Sequence, residues 1–234
     1  MNKSSLSGIV LLSFILISCH KDDDFVLPVD YDFSFKTDAE GWVGDFADYP
    51  NEPDVETFYE LTFFHSTLPA PLNTSDGALI QSGNNHSDDL FMFVKRKITG
   101  LEPNKTLNVS IEIEIASNVA NGSIGVGGSP GESVYIKAGA STQEPLKLLD
   151  DSDNHYRMNI NKDNQGQGGT DMQLIGDFSN GTDLNIYTLK TLKTTSPISV
   201  QADSNGEIWV IVGTDSGFEA TTTIYYNSIK VNIK

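Results

Sequence analysis

The segment from Leu107 to Ala116 constrains the fold most strongly, because its apolar and polar residues alternate without a break. It reads L-N-V-S-I-E-I-E-I-A, with five aliphatic residues on one parity. The other parity is polar and consists of Asn108, Ser110, Glu112 and Glu114. Successive side chains of a strand point to opposite faces, so the segment has one aliphatic face and one acidic face. This predicts a central strand of an antiparallel sheet, with a second layer covering the aliphatic face.

Short strands separated by turn signals follow one another along the rest of the chain. Asn205-Gly206 is typical of a hairpin turn, and no amphipathic helix of three turns is evident. Residues 43–54 are expected to form a loop. Strands are expected at 31–36, 58–64, 78–81, 90–98, 133–137, 171–176, 185–190, 197–202, 207–212 and 225–233. About a dozen such strands predict an all-β fold, with residues 30–234 forming one antiparallel β-sandwich (jelly roll) domain.

The N-terminus has the features of a secretory signal. Lys3 precedes an apolar run over residues 9–17, which is short for a membrane span. The following Leu16-Ile17-Ser18-Cys19 resembles the lipobox of bacterial lipoproteins, in which the cysteine is lipidated and the preceding peptide is removed. The resemblance implies a signal peptide over residues 1–18 and a lipidated Cys19 that begins a flexible acidic tether over residues 19–29.

The residues after the cysteine bear on the location of the protein. His20-Lys21-Asp22-Asp23-Asp24 is similar to the export signal of surface lipoproteins in Gram-negative bacteria that harvest glycans. The resemblance implies an outer-membrane lipoprotein exposed at the cell surface. A solvated charged tether explains the same residues, so both interpretations stay open.

Charge narrows the range of partners. The chain has 32 acidic and 15 basic residues, a formal charge of −17. Nucleic acid is excluded as a partner, because phosphate contacts need clustered Lys and Arg. Calcium ions and neutral sugars are compatible with this charge. Cys19 is the only cysteine, so no intramolecular disulfide can form.

Three segments resemble the galactose-binding-like jelly rolls that include many carbohydrate-binding modules. They are the aromatic first strand running into Glu40-Gly41-Trp42, the turn Gly100-Leu-Glu-Pro-Asn104 before the central strand, and the closing Tyr225-Tyr-Asn-Ser-Ile-Lys-Val231. The resemblance supports the jelly roll and implies carbohydrate binding. The matching residues belong to the scaffold, and a fold alone does not determine function.

The same resemblance implies a structural calcium ion between the first and last strands. The corresponding ligands here are Asp32, Glu40 and Asn227, since calcium accepts carboxylate and amide oxygens. Asn227 stands where the family has an acidic residue. The alternative is that these are ordinary polar residues near a sheet edge.

Candidate ligand-binding residues lie in the loop after the strand at 78–81. This loop combines amides, an imidazole and two carboxylates, a mixture suited to sugar hydroxyls. Trp42 and Tyr49 are candidate platforms for the apolar face of a sugar ring, although Trp42 fits a core plug equally well. The loop candidates are Asn84, Asn85, His86, Asp88 and Asp89.

The sequence does not support catalysis. It has no G-x-S-x-G and no H-E-x-x-H pattern, and 32 acidic residues make any chosen carboxylate pair arbitrary. The first hypothesis is therefore a noncatalytic, lipid-anchored protein that binds a glycan or another extracellular ligand. The alternatives are a structural or interaction subunit of an envelope or adhesive assembly and, third, a polysaccharide-processing enzyme.

Overall fold

The computed structural model describes residues 27–234, most of which lie in antiparallel strands and their connections. The signal peptide, Cys19 and most of the predicted tether lie outside these described residues. In the described part of the chain, no helix combines the length and apolar character needed to cross a membrane.

The larger sheet has seven strands and is built around two long ones. β7 (Thr106–Ser117) pairs with β15 (Thr221–Ile233) along most of its length. The free side of β15 pairs with β1 (Val29–Phe33) and β5 (Gly77–Asn84), and β5 pairs with the edge strand β4 (Thr62–Thr67). The free side of β7 pairs with two short strands, β12 (Thr188–Lys193) and β13 (Ile198–Gln201).

The second sheet has five strands, and a small third sheet lies beside it. The five strands are, in spatial order, β11 (Met172–Asp177), β8 (Val134–Ser141), β14 (Ile208–Ser216), β6 (Leu90–Ile98) and β2 (Val43–Ala47). The small sheet contains β3 (Tyr49–Pro50), β10 (His155–Met158) and β9 (Lys147–Asp150). A single helical turn, α1 (Val55–Phe58), precedes β4.

The main core lies between the two large sheets. The five aliphatic residues of β7 are each at most 1% exposed, whereas Glu112 and Glu114 on the opposite face are half-buried. The five aliphatic residues of β7 share one apolar cluster with residues of the five-stranded sheet, including Val94, Ile136 and Val210. The predicted antiparallel β-sandwich of jelly-roll type is confirmed, and β7 is central as its alternation indicated.

The outer face of the five-stranded sheet is also covered. Phe91, Phe93 and Ile211 alternate with the core residues of their strands and form a second apolar cluster with Ile160 and Met172. The chain over residues 155–171, named here the covering segment, lies on this face. The outer face of an antiparallel sheet is commonly open to solvent, but here the chain itself covers that face.

Some strand boundaries differ from the sequence predictions. Residues 43–54, expected as a loop, contain β2 and β3, while the strand expected at 58–64 is α1 followed by β4. β2 is an edge strand that lies close to β4: a Cβ on Gly44 would lie 2.4 Å from the ring of Phe63. This close approach requires glycine, and alternation alone does not reveal it. β12 begins at Thr188, three residues later than expected.

The register defines two ends of the sandwich. Val29 lies opposite Ile233, which lies opposite Val109, so the described chain begins at this proximal end. Thr221 lies opposite Asn84 at the other, distal end. Thr221 and Ile233 are twelve positions apart in β15, which corresponds to ~40 Å of strand.

Candidate functional site

Trp42 lies inside the core and offers no ring face to a ligand. Its side chain is 2% exposed. The ring packs edge-on against Phe33 and Phe35, with centroid distances of 5.5 and 6.3 Å. Trp42 therefore fills part of the core and does not serve as a platform for a sugar ring.

Tyr49 is likewise buried, with 0% exposure. Its ring lies 5.2 Å from that of Tyr156 and 5.9 Å from that of Tyr59. The hydroxyl accepts a hydrogen bond from Lys147 Nζ at 2.6 Å and donates to Glu56 Oε1 at 3.3 Å. Burial raises the pKa of Tyr49, although Lys147 opposes the rise. Neither predicted platform is thus accessible, because both rings complete apolar clusters.

Asn84 and Asn85 position the loop that follows β5. The Asn84 N–H donates to the carbonyl of Tyr59 at 2.6 Å, which ties the loop to α1. The buried Asn85 amide donates to the carbonyls of Ser216 and Phe218, at 2.8 and 3.1 Å. Asn85 has both amide hydrogens engaged within the protein, so its contacts are structural.

His86 lies at the distal end with an exposed aromatic neighbour. Its ring stacks on Phe58 at 4.1 Å with an interplanar angle of 22°, and meets Tyr59 edge-on at 5.2 Å. Phe58 is 62% exposed, an unusual degree for a phenyl ring. α1 presents Phe58 outward because the buried Val55 and Tyr59 hold this turn against the core.

These rings form one wall of a cleft of about 380 Å³, named here the distal cleft. His86 Nε2 lies 3.2 Å from the carbonyl oxygen of Phe58, and His155 Nδ1 lies 2.8 Å from that of Asp153. A carbonyl only accepts, so each of these nitrogens donates the hydrogen, and in the neutral form of the imidazole the other ring nitrogen is an acceptor. The cleft is lined by Pro50, Glu52, Pro53, Val55, Phe58, Tyr59, His86, Ser87 and His155.

The chemistry of the distal cleft suits a polyhydroxylated ligand. Two imidazole acceptors and the Glu52 carboxylate can receive hydroxyl hydrogens, while the Phe58 ring can contact C–H groups. Its titratable lining groups are one carboxylate, two imidazoles and the Tyr59 phenol, so the cleft has no fixed positive charge for an anion. A neutral ligand with many hydroxyl donors fits best.

Asp88 and Asp89 are not among the residues that line the distal cleft. The carbonyl of Asp88 accepts a hydrogen bond from Gln165 Nε2 at 2.7 Å, which joins the loop to the covering segment. Asp89 Oδ2 lies 3.2 Å from Arg157 Nη1. Asp89 thereby belongs to a group of six charged residues that joins the covering segment to the rest of the domain, named here the charge cluster: Asp48, Asp89, Lys137, Arg157, Lys162 and Asp215.

Ion pairs connect the charge cluster throughout. Asp215 Oδ2 lies 2.7 Å from Lys137 Nζ and 2.8 Å from Lys162 Nζ, and Lys162 Nζ lies 2.8 Å from Asp48 Oδ2. Lys137 also donates to the carbonyls of Lys162 and Asp163, at 2.9 and 3.2 Å. The Lys137 and Asp215 side chains are 0% exposed. The cluster therefore fastens the covering segment to the sheet.

Carboxylates of Asp48, Asp89 and Asp215 lie within 4.8 Å of one another, a spacing that a metal ion can bridge. Burial raises the pKa of Asp89 to about 6, and the Asp48 and Asp215 carboxylates add to the rise. Burial by itself would lower the pKa of Lys162, but the same two carboxylates raise it above its usual value. Lys162 thus already acts as the bridging cation, and a metal ion would have to displace it.

The predicted calcium ligands have other contacts. Glu40 Oε1 accepts the N–H groups of Ser34 and Phe35, at 2.9 and 2.8 Å. Asn227 donates to Glu114 Oε1 at 2.6 Å, and Asp32 lies opposite Lys230 in the register. These contacts use one Glu40 oxygen and the Asn227 N–H₂ group, while the Asn227 carbonyl oxygen and the second Glu40 oxygen remain suitable as calcium ligands. Calcium at this position stays a prediction.

The sequence reasoning missed Phe58, Glu52 and His155. Phe58 was assigned to a strand, although the apolar residues on both parities of 58–64 were a signal that one ring is exposed. His155 reaches the cleft because β10 pairs with β3, opposite Pro50. That pairing joins positions about a hundred residues apart, and no local pattern in the sequence indicates it.

Comparisons with known proteins give similarity at the level of structure only. No protein-family model matches the chain, and no curated protein matches it. A carbohydrate-binding module of the β-sandwich superfamily shares 12% identity at a TM-score of 0.38, and the match covers 83% of this chain and 58% of that chain.

Two further solved structures are similar. A carbohydrate-binding module that recognises mannan has 15% identity and a TM-score of 0.36, covering 90% of this chain and 98% of its own. A candidate sugar-binding protein from Bacteroides thetaiotaomicron has 10% identity and a TM-score of 0.40, with coverages of 86% and 92%. Similarity at these levels carries no weight for function. The strand pairings described above establish the fold as an antiparallel β-sandwich.

Proposed function

We propose that this protein is a noncatalytic glycan-binding protein, with the distal cleft as its binding site. The main observation behind this proposal is the Phe58 ring, which is 62% exposed and stacks on the His86 ring at a centroid distance of 4.1 Å. A phenyl ring fixed in this way can contact the C–H face of a sugar, while the acceptors of His86, His155 and Glu52 receive its hydroxyl hydrogens. The acidic composition favours a neutral glycan.

The position of the cleft supports this role. The covering segment occupies the outer face of the five-stranded sheet, so a ligand cannot lie there without displacing it. The cleft lies at the distal end, ~40 Å of strand away from the point where the described chain begins. A domain held through its N-terminus can therefore present the cleft without obstruction by its attachment.

Phe58→Ala tests the proposal against a panel of neutral glycans, with binding measured by calorimetry and affinity gel electrophoresis. Loss of one ring face removes ~1–1.5 kcal/mol of contact, so we expect affinity to fall about tenfold. Phe64→Ala is the matched control, because Phe64 is a 48% exposed ring on β4 and does not line the cleft. His86→Phe keeps the stacking but removes the nitrogen acceptor, and should weaken binding less than His86→Ala.

A flat response of the folded protein across the glycan panel would contradict this proposal. Equal losses in Phe58→Ala and Phe64→Ala would contradict the choice of site. The function would then be that of an assembly subunit, which a stable co-purifying protein would identify. Exposed apolar side chains on two loops that are hydrogen-bonded to each other favour this second candidate: Ile124, Val126, Leu184 and Ile186.

We further propose that Cys19 is lipidated and holds the domain at the outer membrane, on the cell surface. The support is the lipobox-like Leu16-Ile17-Ser18-Cys19. Several acyl chains would give stable anchoring, where one would be marginal. Cys19→Ala should leave the protein unacylated and soluble, as measured by membrane fractionation. Unchanged membrane partition of that variant would contradict the anchor, and protease protection in intact cells would contradict surface exposure.

Calcium bound by Asp32, Glu40 and Asn227 is a separate proposal that rests on the resemblance to galactose-binding-like domains. An ion that binds only the folded state raises its thermal midpoint by mass action. We expect a rise with calcium that EDTA reverses and that Glu40→Gln removes. An identical midpoint in calcium and in EDTA would contradict the site.

A further inference from the structure

A groove of about 700 Å³ crosses the outer face of the seven-stranded sheet, away from the distal cleft. Residues 194–197 connect β12 to β13 and form one wall of this groove. Thr194 N–H donates to the Ile111 carbonyl at 2.9 Å, and Gln173 Nε2 donates to the Ser196 carbonyl at 2.9 Å. β1 forms the opposite wall. The wall is held by hydrogen bonds from both sides, so the groove is a built feature of the fold.

A row of alternating charges lies across this groove. In the register, Asp32 on β1 is opposite Lys230 on β15, Lys230 is opposite Glu112 on β7, and Glu112 is opposite Lys193 on β12. All four residues line the groove. Adjacent strands lie ~4.8 Å apart, so the three intervals place the two ends of the row about 14 Å apart.

The ends of the row differ from its middle. Lys230 Nζ lies 3.4 Å from Glu112 Oε1, so the two central charges neutralise each other. Asp32 and Lys193 are exposed, and within residues 27–234 neither has an ion-pair partner. The groove therefore offers one anionic wall and one cationic wall, with a neutralised floor between them.

The floor supplies groups that complement amides. Asn232 lines the groove and its Nδ2 donates to Asp30 Oδ1 at 2.6 Å, so the side-chain carbonyl oxygen of Asn232 is not used in that hydrogen bond and can accept. The Ser110 hydroxyl can donate and accept. A ligand that fits must carry a cation and an anion at its two ends and amide-like groups between them.

We propose that this groove binds a short linear peptide through its two free termini, with the ammonium at Asp32 and the carboxylate at Lys193. An extended chain spans at most 3.3–3.6 Å per residue, so about four residues cover the distance of about 14 Å between the two walls. A neutral glycan lacks both end charges and would use neither wall. This site goes beyond the distal cleft and does not depend on it, but it shares Asp32 with the proposed calcium site, so peptide binding is measured in EDTA.

Oligoalanines of two to six residues provide the test, with binding to the intact protein measured by calorimetry or NMR titration. We expect affinity to be highest at four or five residues and to fall by about three- to fivefold when either terminus is blocked, because exposed ion pairs are weak individually. Asp32→Asn should cause the same loss as N-acetylation, with no further loss when both are combined. Lys193→Gln should pair in the same way with C-terminal amidation.

Glu207→Gln is the matched control, because it removes an exposed ion pair with Lys97, at 2.8 Å, outside the groove. Three results would overturn the proposal. They are a peptide affinity that does not depend on peptide length, additive losses of affinity from Asp32→Asn and N-acetylation, and an equal loss of affinity in the control variant. The absence of binding at 10 mM peptide would also overturn it, taking ~10 mM as the limit of a useful weak interaction. Phe58→Ala should leave peptide affinity unchanged, which separates this site from the distal cleft.

Discussion

Replacement of Asp215 by Asn is the sharpest test of how the covering segment is held. The Asp215 carboxylate is 0% exposed and accepts hydrogen bonds from Lys137 and Lys162 through the same oxygen. Asn has nearly the same shape but no charge. The variant leaves Lys137, also 0% exposed, with only the neutral carbonyls of Lys162 and Asp163 as partners.

The structure sets the expected magnitude. Removing one partner of a buried ion pair costs about 3–5 kcal/mol, because the remaining charge stays desolvated. With a urea m-value of about 2–3 kcal/mol/M, the unfolding midpoint should fall by about 1–2 M. The thermal midpoint should fall by roughly 6–20 °C, at about 2–4 °C per kcal/mol for a domain of this size.

Urea unfolding monitored by circular dichroism gives the measurement, with Glu207→Gln as the exposed-pair control. The control should change the free energy of unfolding by less than about 1 kcal/mol. Burial already lowers the pKa of Lys137, although Asp215 opposes this. Without Asp215 the folded state should hold the Lys137 proton still less tightly than the unfolded chain, so the stability of the variant should rise with pH toward the usual lysine pKa.

An Asp215→Asn variant no less stable than the control would refute this reasoning. It would mean that water reaches the charge cluster and that the covering segment does not exclude solvent from the sheet. A large loss that does not change with pH would contradict the assignment of the uncompensated charge to Lys137.

Two further predictions follow from Asp89 and from two glycines. The pKa of Asp89 is raised from 3.8 to about 6, so the folded state binds the proton more tightly and the free energy of unfolding falls as pH rises from 3.8 to 6. Asp89→Asn should therefore be more stable than the wild type at pH 8, by up to about 2 kcal/mol after allowance for partial exposure. At pH 3.5 the variant should have no such advantage. Lower stability of the variant at pH 8 would show that the ion pair with Arg157 dominates. Gly206 and Gly100 both have positive φ, but a Cβ on Gly206 would lie 2.0 Å from the Leu101 carbonyl oxygen, whereas one on Gly100 has nothing within 4 Å. In thermal or urea unfolding, Gly100→Ala should cost about 1 kcal/mol and Gly206→Ala at least about 2 kcal/mol; equal losses would contradict the steric reasoning.

The scaffold could be predicted from the sequence because local alternation reports burial on one face of a strand. β7 shows this most clearly, since its aliphatic residues are at most 1% exposed. β2 escaped prediction because it is an edge strand of five residues whose close approach to β4 depends on Gly44. Local patterns indicate which face of a strand is apolar, but they do not report contacts between sheet edges.

The candidate site could be predicted only in part, for the same physical reason. The mixed polarity of residues 84–89 drew attention to the distal end, where His86 lines the cleft. Its partner Phe58 lies on a helical turn, and His155 comes from the covering segment. Trp42 was ambiguous because a tryptophan near a turn can complete a core or face solvent, and only its packing against Phe33 and Phe35 decides between these.

Lys137 shows why the location of a binding face depends on distant parts of the chain. It lies on the outward parity of β8, where a lysine normally reaches solvent, yet it is fully buried because Lys162, Asp163 and Asp215 surround its ammonium group. The covering segment that buries it also closes the five-stranded sheet to ligands. Concave surfaces remain elsewhere, among them one at the distal end and one on the outer face of the seven-stranded sheet. The distal cleft and the groove between Asp32 and Lys193 occupy two of these remaining surfaces, so a ligand of either site can be tested without disturbing the charge cluster.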